Sequence, residues 1–359
     1  MKRDEYFRFL KETSDVVSPI FLKYMDPFLN IDKELYDTLM LFVRRRINKP
    51  LMKLSLLRLS YEICGGKDWS KIIPAAAAFE FINISSYQAN CAFDNKLGVI
   101  TRSQKDSQFI ASIITRELAS QIITELRKDF NESLLNAIYA SLSKSNYYIN
   151  LAQHYDLNIL NIKNYENYQD DKYYLKEYIS RCYYGSGIFN GQCAYIGGLL
   201  ANAQQEQLEA LKEFGENFGT ALQIVNDIGD FVPMDIDSLI NKDYQDQYSD
   251  FKNGRLTLPL YHLLRFGSPE TIKRAKDIIY KERFDKETLI EVTQFLLREG
   301  SISHAKEKAR EFIKKAEKQL IIFRESKNKY LLLIMTTVIL TNKYLVALRK
   351  LINGQTITL

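Results

Sequence analysis

Apolar residues recur at helical spacing from one end of this chain to the other, and no stretch alternates apolar and polar residues between hairpin turns. That regularity excludes sheet architectures and leaves an all-α fold. Helices are expected over residues 7–25, 33–43, 51–63, 69–93, 108–130, 134–148, 172–200, 205–231, 256–266, 269–280, 286–298, 301–323 and 327–351. The breaks are short and carry Gly, Pro, Asn or Asp, as in Gly65-Gly66-Lys67-Asp68 and Phe266-Gly267-Ser268-Pro269. With 46% hydrophobic residues, seven prolines and no low-complexity linker, residues 1–359 are read as a single domain. The longest loops, 158–171 and 233–253, are polar and Tyr-rich, and loops of that length in a compact domain are functional lids or insertions.

Composition removes several classes of function. A net charge of +5, with Arg44-Arg45-Arg46 as the densest basic patch, provides no nucleic-acid surface. Cys64, Cys91, Cys182 and Cys193 have neither CxxC nor zinc spacing and read as reduced thiols. His154, His262 and His304 are scattered, which speaks against a histidine-based triad or zinc site. No apolar signal segment follows Met1-Lys2-Arg3-Asp4-Glu5, and the longest apolar run, 330–340, falls far short of the roughly 20 residues of a transmembrane span. A cytoplasmic protein is expected.

The chemistry concentrates at Leu222-Gln223-Ile224-Val225-Asn226-Asp227-Ile228-Gly229-Asp230-Phe231. On a helix Asn226 and Asp230 project from one face a turn apart, with Asp227 adjacent, and the face offers oxygen ligands only. Mg²⁺ takes such ligands and fills its other positions with water and substrate phosphate, so a diphosphate is the natural third party. Downstream, Ser249-Asp250-Phe251-Lys252-Asn253-Gly254-Arg255-Leu256-Thr257-Leu258-Pro259 is a polar turn entering an apolar helix.

This block, with Phe218-Gly219-Thr220-Ala221-Leu222-Gln223 ahead of it, resembles the second aspartate-rich region of the trans-isoprenyl diphosphate synthases, approximately GxxFQxxDDxxD followed by SDxxxGKxTLPL. Leu222 replaces Phe, Asn226 the first Asp, and Arg255 the Lys. Arg44-Arg45-Arg46-Ile47-Asn48-Lys49-Pro50 resembles the family's basic motif GGKxxRP, without its glycines, and maps Arg46, Asn48 and Lys49 onto diphosphate contacts; standing alone it would equally read as a basic helix terminus. Residues 75–94 resemble the helix of the first aspartate-rich region. Glu80 and Ser86 match there, Asn83 replaces His, and the metal motif is reduced to Asn90-Cys91-Ala92-Phe93-Asp94, in which Asn90 and Asp94 still offer oxygen. Arg102 is the nearest candidate for the family's arginines after this motif. Ala152-Gln153-His154-Tyr155-Asp156-Leu157 matches GQxxDL, with His154 read as an ordinary helix-end histidine.

Arg181 stands 45 residues before Asn226, and Gly185 four after Arg181. Terpene cyclases of the same fold place a diphosphate-sensing Arg and a helix-breaking residue at similar spacings; the other reading of Gly185 and Gly187 is close helix packing. The family's Lys at Tyr184 is absent. The resemblance implies an isoprenoid synthase helical bundle around a central cavity, acting as a homodimer on a prenyl diphosphate substrate. Mg²⁺ held by Asn90, Asp94, Asn226, Asp227 and Asp230, with Arg46, Arg181, Lys242 and Arg255, would neutralise the diphosphate and let the allylic C–O bond ionise. Arg181, Gly185 and Gln223 are the catalytic candidates, and Ser85 and Ser86 imply a deep pocket. These departures from the elongating pattern lead to the expectation of a terpene synthase. A chain-elongating prenyltransferase using isopentenyl diphosphate and a non-catalytic partner subunit are the alternatives.

Overall fold

The computed structural model describes residues 2–47, 49–94, 104–232, 248–279 and 284–340. Helix starts follow local side-chain chemistry. Asp32 accepts a hydrogen bond from the Leu35 amide at 2.7 Å and so begins α2 (Lys33–Val43); Asn131 does the same for Leu134 at 2.9 Å at the head of α6 (Glu132–His154). Preceding α2 is α1 (Lys2–Leu29), which runs through Pro19 and Pro27 and is longer than its apolar pattern suggests. Next come α3 (Met52–Ile63), α4 (Ile73–Asp94) after a 3₁₀ turn at Trp69–Ile72, and α5 (Lys105–Ile123). Among the described residues there is no strand, only an isolated antiparallel bridge between Asn161 and Arg255.

The stretch expected as one helix over 172–200 is two. α7 (Asp171–Cys182) and α8 (Ile188–Leu200) are joined by a π turn at Tyr183–Gly187, where Gly185 and Gly187 weaken the regular pattern; a second π turn, Tyr155–Ile159, extends α6. Such turns occur frequently at functional sites. α9 (Gln205–Phe231) is the central helix, flanked by α8 and by α14 (Ser301–Gln319). Gly215 and Gly219 allow the close approach of α8: a Cβ at Gly219 would stand 2.3 Å from the Ser186 carbonyl oxygen, and one at Gly215 would stand 2.4 Å from that of Asn190. On the apolar face of α9, Phe214, Phe218 and Phe231 are fully buried and anchor the core; each side chain of this size contributes about 1.5–3 kcal/mol on burial.

The carboxylate of Asp230, near the end of α9, accepts hydrogen bonds from the amides of Ser249 (2.8 Å) and Asp250 (3.0 Å) at the start of the short α10 (Ser249–Lys252). Gly254, at φ +67°, turns the chain into Arg255 and α11 (Leu258–Phe266), with Pro259 in its first turn. α12 (Pro269–Ile279), α13 (Lys286–Arg298), α14 and α15 (Lys327–Leu340) complete the described bundle. Its core is one continuous cluster, and no helix among the described residues is long and apolar enough to cross a membrane. All four cysteines are free thiols.

Candidate active site

A cavity of 530 Å³ is lined from α3, α4, α6, α7, both π turns, α9 and α10. Its polar groups form two bonded networks. In the first, Asn83 on α4 donates to Glu80 at 2.8 Å and accepts from Lys53 on α3, while Arg46 Nε stands 3.5 Å from Glu80. Arg46 also lies 4.7 Å from the Tyr87 ring centroid and Lys53 4.7 Å from that of Phe189, which are cation–π distances. Two cations here face one carboxylate, so an anion is attracted.

The second network reverses the balance. Arg181 gives Nε and Nη2 to Asp156 at 2.7 and 3.2 Å, and Nη1 to both oxygens of Asp227 at 2.9 and 2.8 Å. Tyr178 Oη and Gln223 Nε2 also donate to Asp227, at 2.7 and 2.9 Å. Arg255 bonds Asp94 and, through Nη1, Asp250 at 2.9 Å, and lies 4.0 Å from Asp156. With Asp230 beside them, two guanidiniums meet five carboxylates, a surplus that attracts cations. Burial by itself would lower the pKa of both arginines, but the surrounding aspartates raise it, so both stay charged. Burial pushes the Asp227 carboxyl above its ordinary value and Arg181 limits the rise; three converging donors require an ionised acceptor. Burial also drives the neighbouring Cys182 thiol up to about 12, which removes it as a nucleophile.

The cavity brings together Arg46, Asn90, Arg181, Gly185, Gln223, Asn226, Asp227, Asp230 and Arg255 of the expected residues. Others stand apart. Lys49 is exposed and Asp94 is buried and bonded to Arg255; neither is part of the lining. Asn48, Arg102 and Lys242 lie outside the described residues. Arg181, expected to reach toward a diphosphate, is instead 4% exposed and committed to two carboxylates. Gly185 lies in a π turn against Ala152, as a helix-breaking residue would.

Lys53 and Tyr178 were missing from the expected set, whereas Asp156 and Asp250 stood inside matched motifs without a site role. Lys53 carried a signal: a cation in the first turn of an apolar helix opposes the helix dipole and asks for another reason to be there. Tyr178 stands three residues before Arg181 on the same helical face, but nothing local marks Asp227 as its partner.

A hard divalent cation fits this site in kind, because Asn90, Asn226, Asp227 and Asp230 offer only oxygen. The carboxylates are nonetheless engaged by protein donors. Among the described residues no three His, Cys, Asp or Glu side chains form a ready ligand cluster.

Comparison with known proteins places this geometry in context. The family described as polyprenyl synthetase matches residues 102–296, more than half of the chain. Octaprenyl diphosphate synthase of Haemophilus influenzae is 29% identical over 143 residues, 40% of this chain and 41% of that protein, so less than half of the relative's length is matched. The short chain isoprenyl diphosphate synthase of Methanocaldococcus jannaschii is 23% identical over 242 residues, 67% of this chain and 69% of its own. Geranylgeranyl pyrophosphate synthetase of Pyrococcus horikoshii superimposes with a TM-score of 0.77 at 21% identity, covering 95% of this chain and all of the other. A polyprenyl synthase of Caulobacter crescentus, solved with calcium and isoprenyl diphosphate, also gives 0.77, at 15% identity over 95% of this chain and 98% of its own. The structural likenesses establish the all-α isoprenoid synthase fold. The relatives are named as prenyl or polyprenyl synthases, and none of these names supports the leading expectation of a terpene synthase.

Proposed function

The chain belongs to the polyprenyl synthetase family, and from that premise we propose that it is a prenyltransferase joining an allylic prenyl diphosphate to isopentenyl diphosphate. The observation that carries the reading is the division of one cavity into a cation-rich network (Arg46, Lys53) and a carboxylate-rich one (Asp156, Asp227, Asp230, Asp250), with Asp94 bonded to the lining residue Arg255. Two diphosphates are then held in different ways. The cations of the first network bind isopentenyl diphosphate directly. The allylic diphosphate binds at the second, against Arg181 and Arg255.

The reaction breaks the C1–O bond of the allylic substrate, and its electron pair leaves with the diphosphate. The double bond of isopentenyl diphosphate attacks C1, a carbon–carbon bond forms, and a proton lost from the resulting cation restores a double bond. Arg181 and Arg255 meet the charge developing on the leaving group. Gln223 fixes Asp227, and Gly185 keeps one wall free of a side chain. Mg²⁺ held by Asn90, Asn226, Asp227 and Asp230 would add further positive charge at the leaving diphosphate.

The reading takes residues 1–359 as one isoprenoid-synthase-like domain, supported by the continuous core of the described residues, and places the protein in the cytoplasm. A homodimer is part of it, supported by Phe93, Phe109, Ile110 and Ile113, which are large apolar side chains exposed along the end of α4 and along α5. The test is diphosphate release from geranyl, farnesyl and geranylgeranyl diphosphates with Mg²⁺, with and without isopentenyl diphosphate. Release that depends on isopentenyl diphosphate and is lost in Asp227→Ala is expected. Release without it would return the assignment to a terpene synthase, and none in any mixture would indicate a partner subunit.

A further inference from the structure

We propose that the turn after α14 is a peripheral docking surface for an anionic lipid bilayer, with Ile321 and Ile322 entering the headgroup region and Lys314, Lys315, Lys318 and Arg324 meeting lipid phosphates. None of these six residues lines the cavity, and the inference does not rest on the proposed reaction.

The chain leaves α14 through a 3₁₀ turn at Leu320–Ile322, where the Phe323 amide donates to the Leu320 carbonyl at 3.2 Å. Leu320 and Phe323 are 1% and 4% exposed and pin the turn to the core. The two residues between them therefore project outward, Ile321 at 72% exposure and Ile322 at 43%. In water these side chains forgo the gain that burial gives Leu320 and Phe323. One exposed apolar residue is ordinary, but an adjacent pair held outward at the centre of a charged surface asks for an apolar environment to enter.

The charges around the pair are of one sign. On the first half of α14 acids and bases answer each other: Arg310 bonds Glu307, and Lys308 bonds Glu311 at 2.8 Å. Beyond Glu311 that pattern stops. Lys314 and Lys318 stand one turn apart on the face that leads to the isoleucines, with Lys315 beside them and Arg324 just past the turn. All four are exposed, and none forms an ion pair among the described residues. The nearby acids are engaged: Glu317 accepts from Thr336 at 2.6 Å, and Glu325 from Lys329 at 2.6 Å.

An anionic bilayer answers both features, because its phosphates attract the cations while the acyl boundary takes the isoleucines; a nucleic acid answers the charges alone. No helix among the described residues is long and apolar enough to span the bilayer, so the contact is peripheral. Ile31 is also 72% exposed, but Asp32 and Glu34 beside it would repel anionic headgroups, which makes it the control.

The test is co-sedimentation of the full chain with vesicles of phosphatidylcholine alone, or with phosphatidylglycerol as about one lipid in three. The protein should bind the anionic vesicles at about 0.1 M NaCl, leave them at about 0.5 M, and ignore the zwitterionic ones. Lys318→Glu with Arg324→Glu should weaken binding about twentyfold or more, about fivefold for each cation lost. Ile321→Ser with Ile322→Ser should weaken it about tenfold or more, and Ile31→Ser should leave it unchanged. Equal binding to both vesicle types, or full binding by the serine variant, overturns the proposal. So does no binding to either, which leaves the surface to an acidic protein partner. The altered residues are exposed, and an unchanged urea midpoint verifies the fold of each variant; if the serine variant is destabilised, the lysine and arginine reversal decides.

Discussion

Replacing Arg181 by Met removes the guanidinium that joins Asp156 to Asp227 and leaves an apolar stem of similar length. Removing one member of a buried ion pair costs about 3–5 kcal/mol. Asp227 keeps the donors Tyr178 and Gln223, and Arg255 remains 4.0 Å from Asp156, which places the expected loss near the lower end, about 3 kcal/mol. The loss should depend on pH in a definite direction. Burial already raises the Asp227 pKa, and Arg181→Met removes the main opposing charge, so the rise becomes larger. A carboxyl whose folded pKa lies above its unfolded value near 3.9 contributes stability that is fully present below the unfolded pKa and is lost as pH rises through the folded pKa. The deficit of Arg181→Met should therefore be largest at pH 7.5 and shrink toward pH 5. Asp227→Asn in the Arg181→Met background should recover part of it at pH 7.5, because a neutral amide replaces the stranded anion. Urea unfolding of the three proteins at both pH values measures this. An equal deficit at the two pH values, or one under about 0.5 kcal/mol, would refute the reasoning.

Three further outcomes follow from single features. Lys53→Met should raise the KM for isopentenyl diphosphate about tenfold or more, the worth of a lost charged hydrogen bond, with little change in the KM of the allylic substrate. Gly219→Ala places a methyl 2.3 Å from the Ser186 carbonyl and forces α8 and α9 apart, so the urea midpoint should fall by the equivalent of about 1–3 kcal/mol or more. The stacked rings of His262 and His304, with centroids 4.5 Å apart, both have lowered pKa values, chiefly from burial; their contribution is present above the unfolded pKa near 6.5 and is lost as pH falls below it. Stability should accordingly drop between pH 7 and pH 5, and less so in His304→Phe.

Local patterns were legible in the sequence where local forces decide the structure. Helical periodicity and capping residues such as Asp32 and Asn131 determine most helix positions, and of the two readings left open for Gly185 and Gly187, a break or close packing, the π turn accords with the first. Gly215 and Gly219 gave no such warning, because their role depends on which backbone crosses them. In the site, Asn226, Asp227 and Asp230 were legible as an oxygen-bearing helix face. That Asp227 is neutralised by an arginine 46 residues earlier was not, since ion pairing across a fold has no local signature. The expected metal pair Asn90 and Asp94 divided for a similar reason: a helical turn sets their spacing, but Asn90 lines the cavity whereas Asp94 does not and is paired with Arg255. Weighing missing motif residues one by one led toward a terpene synthase, whereas the charge division of the whole cavity, to which Lys53 contributes, speaks for two diphosphates.

The central claim, that the cavity joins two prenyl units, is tested most directly by incubating the purified protein with Mg²⁺, an allylic diphosphate and isotopically labelled isopentenyl diphosphate, and measuring the mass of the dephosphorylated product. The account predicts a labelled prenyl alcohol at least five carbons longer than the allylic substrate, formed only when both diphosphates are present. An unlabelled hydrocarbon or alcohol formed from the allylic diphosphate alone would contradict it.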